Sequence, residues 1–312
     1  MALLLTFLMT ALLTPYVIKA GYKFDFLDRP TERKNHKNPV PLVGGISIFI
    51  CFFLGYIIFI RPLNSDFVII FLASLLVFFV GLIDDYFKTR KIEFAVWPRL
   101  LVQIFASVLI FCSGIVFTGF TNPFTGGYIL LPIPVQFILT ITWILGVTTV
   151  INWSDGLDGL SGSLSLIGAS TLFVVAMAKN QTYSAMMCII LMGALMGFLK
   201  YNRFPAKVFI GDSGANFAGF ILAIIALDGA FKQATMISLF IPILALGVPI
   251  FDNLYVIFKR LLRGVPIYKA DASQIHHRLL STGLNQVQTL VFIVLISLLL
   301  SITSIVLFFI VS

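Results

Sequence analysis

The stretch FVIIFLASLLVFFVGLIDDYFKTRK, residues 67–91, decides the architecture. Positions 67–83 carry no charge, and at about 1.5 Å per residue a helix of that length crosses most of the hydrocarbon of a bilayer. The run ends on two adjacent carboxylates, Asp84 and Asp85, followed by Lys88, Arg90 and Lys91. Such a segment reads as a membrane-spanning helix meeting water. An aspartate at a bilayer centre costs about 2.5–3.5 kcal/mol, and a helix C-terminus favours cations over acids. An acidic pair at this end therefore asks for a role beyond solvation.

The same alternation runs along the whole chain. Apolar segments long enough to span occur near 2–19, 44–60, 67–83, 100–117, 135–151, 161–178, 184–200, 213–230, 235–258 and 287–310. Of the 21 Lys and Arg residues, 18 fall in or beside alternate connections, about 20–43, 84–99, 152–160, 201–212 and 259–286, while Arg61, Lys179 and Lys232 lie on the other side. Short loops rich in Lys and Arg resist translocation. The expectation is an all-α integral membrane protein of about ten spans, both termini outside, with its charged loops in the cytoplasm. Gly126-Gly127 between short β-prone runs in 118–134 predicts a small external hairpin.

Composition agrees. Hydrophobic residues make up 59%, charged residues 11%, and mean hydropathy is +1.05, against about 25% charged in soluble domains. No polar stretch is long enough for a separate soluble core, so residues 1–312 read as one polytopic domain. The net charge of +8 sits beside apolar spans rather than on an independent basic face, which argues for orientation and anionic headgroups and against nucleic acid. Cys51, Cys112 and Cys188 lie inside apolar runs without metal or disulfide spacing.

Four further motifs stand at the basic ends of the spans. INWSDGLDGLSG places Asp155 and Asp158 three residues apart, with Asn152 before them and Gly156, Gly159 and Gly162 allowing a tight turn. KVFIGDSGAN sets Asp212 just before an apolar run, where helix capping alone would account for it, although a carboxylate beside free N–H groups also suits a cation-bound phosphate. DASQIHHRLL carries His276, His277 and Arg278, and RKNHKNPVPLVGG carries His36 and Lys37; imidazoles with cations suit phosphate oxygens. Five carboxylates brought to one membrane face would repel, so convergence calls for a divalent cation. An oxygen-rich set without a Cys–His cluster favours Mg²⁺ or Mn²⁺, and phosphoryl transfer at the membrane surface is the chemistry this suggests.

In order, PVPLVGG, GLIDDYFK, NWSDGLDGL, KVFIGDSG and SQIHHRLL resemble the signature segments of the polyprenyl-phosphate N-acetylhexosamine-1-phosphate transferase family. The resemblance implies a fold of ten or eleven spans that joins a sugar-1-phosphate from a UDP-sugar to a polyprenyl phosphate with Mg²⁺ or Mn²⁺, releasing UMP. Carried over by motif, Asp84 and Asp85 would activate the lipid phosphate and Asp212 would hold the metal. Asn152, Asp155 and Asp158 would line the nucleotide site, with Phe209 stacked on uracil and Asn202 nearby. Lys88 or Lys91 would meet phosphate or base, and His276, His277 and Arg278 would hold the diphosphate and sugar; Lys37 is a further substrate-binding candidate. The branch acting on a muramoyl-pentapeptide donor usually continues the His-His pair with Phe-Glu; Arg278-Leu279-Leu280 here looks more like the bacterial branch using UDP-GlcNAc and undecaprenyl phosphate. The implied place is the bacterial inner membrane, with the site facing the cytosol and a homodimer left open. A transporter is the rival class, but its ionisable residues would sit near the midplane rather than at one boundary.

Overall fold

The computed structural model of the chain describes residues 1–30, 38–122, 125–230, 240–266 and 273–311. Lys37, His36 and Lys232 fall outside them. The helices are α1 (Ala2–Lys23), α2 (Gly44–Phe59), α3 (Ser65–Thr89), α4 (Val96–Cys112), α5 (Ile133–Trp153), α6 (Leu160–Ala178), α7 (Thr182–Asn202), α8 (Gly211–Ile225), α9 (Phe240–Ala245), α10 (Gly247–Leu262), α11 (Ile275–Ser281) and α12 (Gln286–Val311). Six of them, α1, α3, α5, α6, α7 and α12, are long and apolar enough to cross a membrane, and α2 and α4 are shorter apolar helices. Leu12, Phe258, Leu299 and Ile310 are each more than 55% exposed, as residues facing lipid rather than water would be.

Two small antiparallel pairs accompany the helices. β3 (Gly119–Thr121) pairs with β4 (Tyr128–Leu130), Gly119 opposite Leu130, giving the hairpin that the Gly126-Gly127 turn suggested. β1 (Leu27–Asp28) pairs with β2 (Val40–Pro41), which no alternating pattern announced. The expected span 235–258 is divided within its described part: α9 ends at Ala245 and α10 begins at Gly247. Pro249 has no N–H to offer the carbonyl of Ala245, which breaks the helical ladder there.

α8 is the axis of the molecule. Every one of its 15 residues is buried, among α2, α3, α5 and α6, as expected of a helix apolar on all sides. Small residues let its neighbours come close, since backbones approach in a membrane only where side chains are minimal. A Cβ on Gly45 of α2 would lie 2.4 Å from the Gly214 nitrogen, and one on Gly81 of α3 would lie 2.6 Å from the Ser213 Cα. Beyond this contact a phenylalanine cluster fills the core, with Phe49 4.5 Å from Phe78 and 5.0 Å from Phe217 between ring centroids.

The helix directions bring the polar motifs together. α3, α5 and α7 end, and α2, α4, α6 and α8 begin, at the same end of the bundle. There the PVPLVGG segment is tied to KVFIGDSG by three backbone bonds: Phe209 N–H to Pro41 O at 2.9 Å, Gly44 N–H to Phe209 O at 2.9 Å and Gly45 N–H to Ile210 O at 3.0 Å.

Candidate active site

Asp212 occupies the first turn of α8, where the helix dipole favours a carboxylate. Lys88 Nζ, from the last turn of α3, donates to Asp212 Oδ1 at 2.5 Å. Arg99, in the first turn of α4, divides its Nη1 between Asp84 Oδ2 at 2.5 Å and Asp212 Oδ2 at 3.4 Å. Asp84 and Asp212 face each other within hydrogen-bonding reach and are almost wholly buried. Two acids and two cations thus form one compact group, because a buried charge persists only where it is paired.

Asp85 has a different environment. It is fully buried and accepts from the Asp212 N–H at 2.8 Å, the Ser213 N–H at 3.0 Å and the Ser213 hydroxyl at 2.8 Å. The carboxylate therefore caps α8 from another helix and satisfies N–H groups that the first turn leaves open. Gly211, at φ +71, makes this possible: a Cβ there would stand 2.6 Å from Asp85 Oδ2.

The DGLDG turn joins the group from the side. Asp155 is half-buried between α5 and α6; loss of solvent, then the nearby charge of Asp212, holds its carboxyl well above the usual carboxylate range. Asp158 Oδ2 accepts the Ala206 N–H at 2.9 Å. Asn202 accepts the Gly159 N–H at 3.0 Å and donates to Val208 O at 2.8 Å. Asp158 and Asn202 thus pin the turn to the 203–210 loop.

On the other flank, His276 of α11 is 1% exposed, and neither ring nitrogen has a hydrogen-bond partner among the described residues. Its Nε2 lies so close to Gly156 that a Cβ there would be 2.0 Å away. Burial, then the neighbouring His277, pushes its pKa down to about 3, so the imidazole is neutral at physiological pH. The two rings are 4.2 Å apart. Arg278 turns away to Asp252 Oδ1 at 3.0 Å and lies 4.3 Å over the Tyr255 ring.

The structure therefore gathers Asp84, Asp85, Lys88, Asp155, Asp158, Asn202, Asp212 and His276, and holds Phe209 at the rim by its backbone. Lys91 is exposed in the turn after α3, and Asn152 is half-buried in the last turn of α5. Lys37 lies outside the described residues. Arg99, which in the sequence serves only as a topology signal, joins this group, and Ser213 and Asp252 hold Asp85 and α11 without having been expected as site residues. A stripe did mark Arg99: Gln103 and Ser107 follow at four-residue intervals on an otherwise apolar helix, and Gln103 donates to Asn216 of α8 at 3.2 Å.

The donor set suits Mg²⁺ or Mn²⁺. Among the described residues no three His, Cys, Asp or Glu side chains stand at metal-ligand spacing. Mg²⁺, however, commonly takes one or two carboxylates and completes its shell with water and substrate phosphates, and Asp84 with Asp212 supplies such an oxygen pair.

The chain is similar to several proteins of known name. The chain is 34% identical over 98% of its length, and 84% of the relative's, to a Bacillus subtilis protein named a probable undecaprenyl-phosphate N-acetylglucosaminyl 1-phosphate transferase. It is 28% identical over 95% of its length and 80% of the relative's to the Escherichia coli K12 undecaprenyl-phosphate alpha-N-acetylglucosaminyl 1-phosphate transferase. A phospho-N-acetylmuramoyl-pentapeptide-transferase of Clostridium kluyveri is 30% identical over 91% of both chains. Residues 67–230, from the first turn of α3 to the end of a short π-helix (Ala226–Ala230) that follows α8, match the model of glycosyl transferase family 4, and the chain belongs to that family.

Proposed function

We propose that the protein transfers GlcNAc-1-phosphate from UDP-GlcNAc to undecaprenyl phosphate, releasing UMP and starting a lipid-linked envelope glycan. The observation that carries this reading is the Asp84–Arg99–Asp212–Lys88 group at one end of a membrane bundle. It offers cations for phosphate oxygens and carboxylates for a proton or a metal. The 18-to-3 distribution of basic residues supports a cytosolic position for this end in the bacterial inner membrane.

In the reaction an oxygen of the lipid phosphate attacks the β-phosphorus of the nucleotide sugar, and the bond from that phosphorus to the bridging oxygen breaks, leaving UMP. Asp84 takes the proton of the incoming phosphate and aligns its oxygen. Lys88 and Arg99, released from their carboxylates as substrate arrives, meet the phosphate oxygens on which charge develops. Asp85 acts at one remove by fixing the first turn of α8 and hence Asp212. His276, neutral, offers an N–H to the diphosphate, while Asp155 and Asp158 shape the nucleotide side. Bound Mg²⁺ or Mn²⁺, held by Asp212 and Asp84, would supply charge neutralisation on the donor diphosphate.

The Clostridium relative favours a second reading with a muramoyl-pentapeptide donor. Mass spectrometry of the lipid formed by purified protein from undecaprenyl phosphate and a panel of UDP-sugars tests the choice. A GlcNAc-diphospholipid supports the first reading, and a product from the pentapeptide donor alone overturns it.

A further inference from the structure

A helix of seven residues does not hold its own shape in water, so the direction in which α11 presents His276 and His277 must come from tertiary ties. Its apolar side, Ile275, Leu279 and Leu280, rests on Leu157, Leu160 and Ile293. Such contacts set a face but leave rotation and sliding along the groove free. The polar ties fix both. Asp252, from α10, accepts the Ile275 N–H with its two oxygens at 2.9 and 3.0 Å. One turn later Arg278 Nη2 returns to Asp252 Oδ1 at 3.0 Å, with its guanidinium 4.3 Å over the ring of Tyr255, also on α10. Gln274 adds a bond from its Nε2 to Trp153 O at 2.7 Å.

A single carboxylate thus grips the start and the middle of α11, at the end where the helix dipole favours a negative charge. The guanidinium is clamped between that carboxylate and an aromatic face, a geometry that a lysine ammonium does not reproduce. On the opposite side of the same short helix His276 meets Gly156 with no room for a methyl group. A small rotation of α11 would withdraw both its nitrogens from the Asp155–Gly156 turn.

We propose that Asp252, with Arg278 and Tyr255, is a positioning anchor that sets the register of α11 and through it the affinity for the diphosphate of the nucleotide donor. Asp252 touches no substrate. The affinity part of this rests on the transferase reading above; the anchoring part does not.

Two measurements on the full-length protein in nanodiscs separate these parts. Amide hydrogen exchange in residues 274–282 is expected to rise at least tenfold in Asp252→Ala and Arg278→Ala, with exchange in α3 and α8 unchanged. KM for UDP-GlcNAc is expected to rise at least tenfold in Asp252→Ala, while KM for undecaprenyl phosphate and kcat stay within about threefold of wild type. Asp252→Asn keeps an acceptor for the Ile275 N–H and loses the charge, so its effects should be smaller; Arg278→Lys should resemble Arg278→Ala. Unchanged exchange in 274–282 in both alanine variants would overturn the anchor, as would a KM rise shared equally by donor and acceptor. Should Asp252→Ala fail to fold, Tyr255→Ala, which removes the ring under the Arg278 guanidinium, carries the same two readouts. Faster exchange in a protein that turns over no nucleotide sugar would uphold the anchor and sink the transferase reading instead.

Discussion

Asp85 accepts the backbone N–H of Asp212 at 2.8 Å, so the second acid of the Asp84-Asp85 pair is a helix cap for the element that carries the principal carboxylate of the site. Its neighbour Asp84 instead faces Asp212 and Arg99. Adjacent positions on α3 point in different directions, so Asp85 caps α8 while Asp84 joins the cluster with Arg99 and Asp212.

Separate responses to mutation follow. Asp84→Asn should leave the thermal midpoint within a degree or two and lower turnover by at least about a hundredfold, the scale of lost general-base or charge stabilisation. Asp85→Ala strands two buried N–H groups and a hydroxyl, which costs about 1–3 kcal/mol per unsatisfied group, so the thermal midpoint should fall by several degrees along with turnover. Melting curves and initial rates on the same preparations check both. An unshifted midpoint in Asp85→Ala would remove its role as a cap.

Arg99 bridges Asp84 and Asp212. Removing it leaves two buried carboxylates facing each other with Lys88 as the cation that still pairs with Asp212 among the described residues. Arg99→Ala should lower turnover at least tenfold, with Arg99→Lys retaining more because charge is kept. Equal, near-wild-type rates in both variants would separate Arg99 from the reaction.

The pH response carries a sign that can be checked. His276, with a pKa near 3 in the fold against about 6.5 in an unfolded chain, is neutral when folded and takes a proton on unfolding. Its contribution is therefore fully present above about pH 6.5 and is lost as pH falls toward 3, by up to about 1.4 kcal/mol per pH unit. Asp155, raised by burial and by Asp212, runs the other way: its cost appears as pH rises above the ordinary carboxylate value. His276→Gln should flatten the fall of the thermal midpoint between pH 6.5 and 4, and Asp155→Asn should raise the midpoint at pH 7.5. A wild-type slope in His276→Gln would contradict the neutral buried imidazole.

Orientation is open to direct labelling. With Cys112 replaced by serine and the other two cysteines buried, Arg263→Cys should react with an impermeant maleimide only from the cytosolic face, and Asn180→Cys only from outside. The reversed pattern would put the site on the wrong side of the membrane for a nucleotide sugar.

Much of this was legible along the chain because acids and imidazoles stand out against hydrocarbon. Asp84, Asp155, Asp212 and His276 announce themselves by residue type and by position at span ends. Pairing was not legible. Asp85 and Ser213 are 128 positions apart, and close contacts such as Gly81 against Ser213 bring them together. Asp158 and Asn202 also hold the 203–210 loop, a role that depends on backbone N–H and C=O groups without a sequence signature. Arg99 was concealed by its value as a topology marker, and Asp252 by lying in a span interior whose partner, α11, follows only after residues 267–272. The break between α9 and α10 did have a sign in Pro249, overridden by the apolar length around it.

Chelation tests the proposal that Asp84 and Asp212 hold Mg²⁺ or Mn²⁺. EDTA should abolish turnover and added Mg²⁺ or Mn²⁺ should restore it, whereas Asp212→Asn should shift the Mg²⁺ requirement to at least tenfold higher concentration. Full activity in EDTA would exclude a role for the carboxylate pair as metal ligands.

The most direct measurement is UMP release by the purified protein in nanodiscs, with undecaprenyl phosphate and UDP-GlcNAc added singly and together. The expected result is UMP only when both are present with Mg²⁺, matched mole for mole by GlcNAc-diphospho-undecaprenol and absent in Asp84→Asn. UMP formed without the lipid phosphate, or none formed with both substrates and Mg²⁺ present, would contradict transfer to a lipid phosphate at this site.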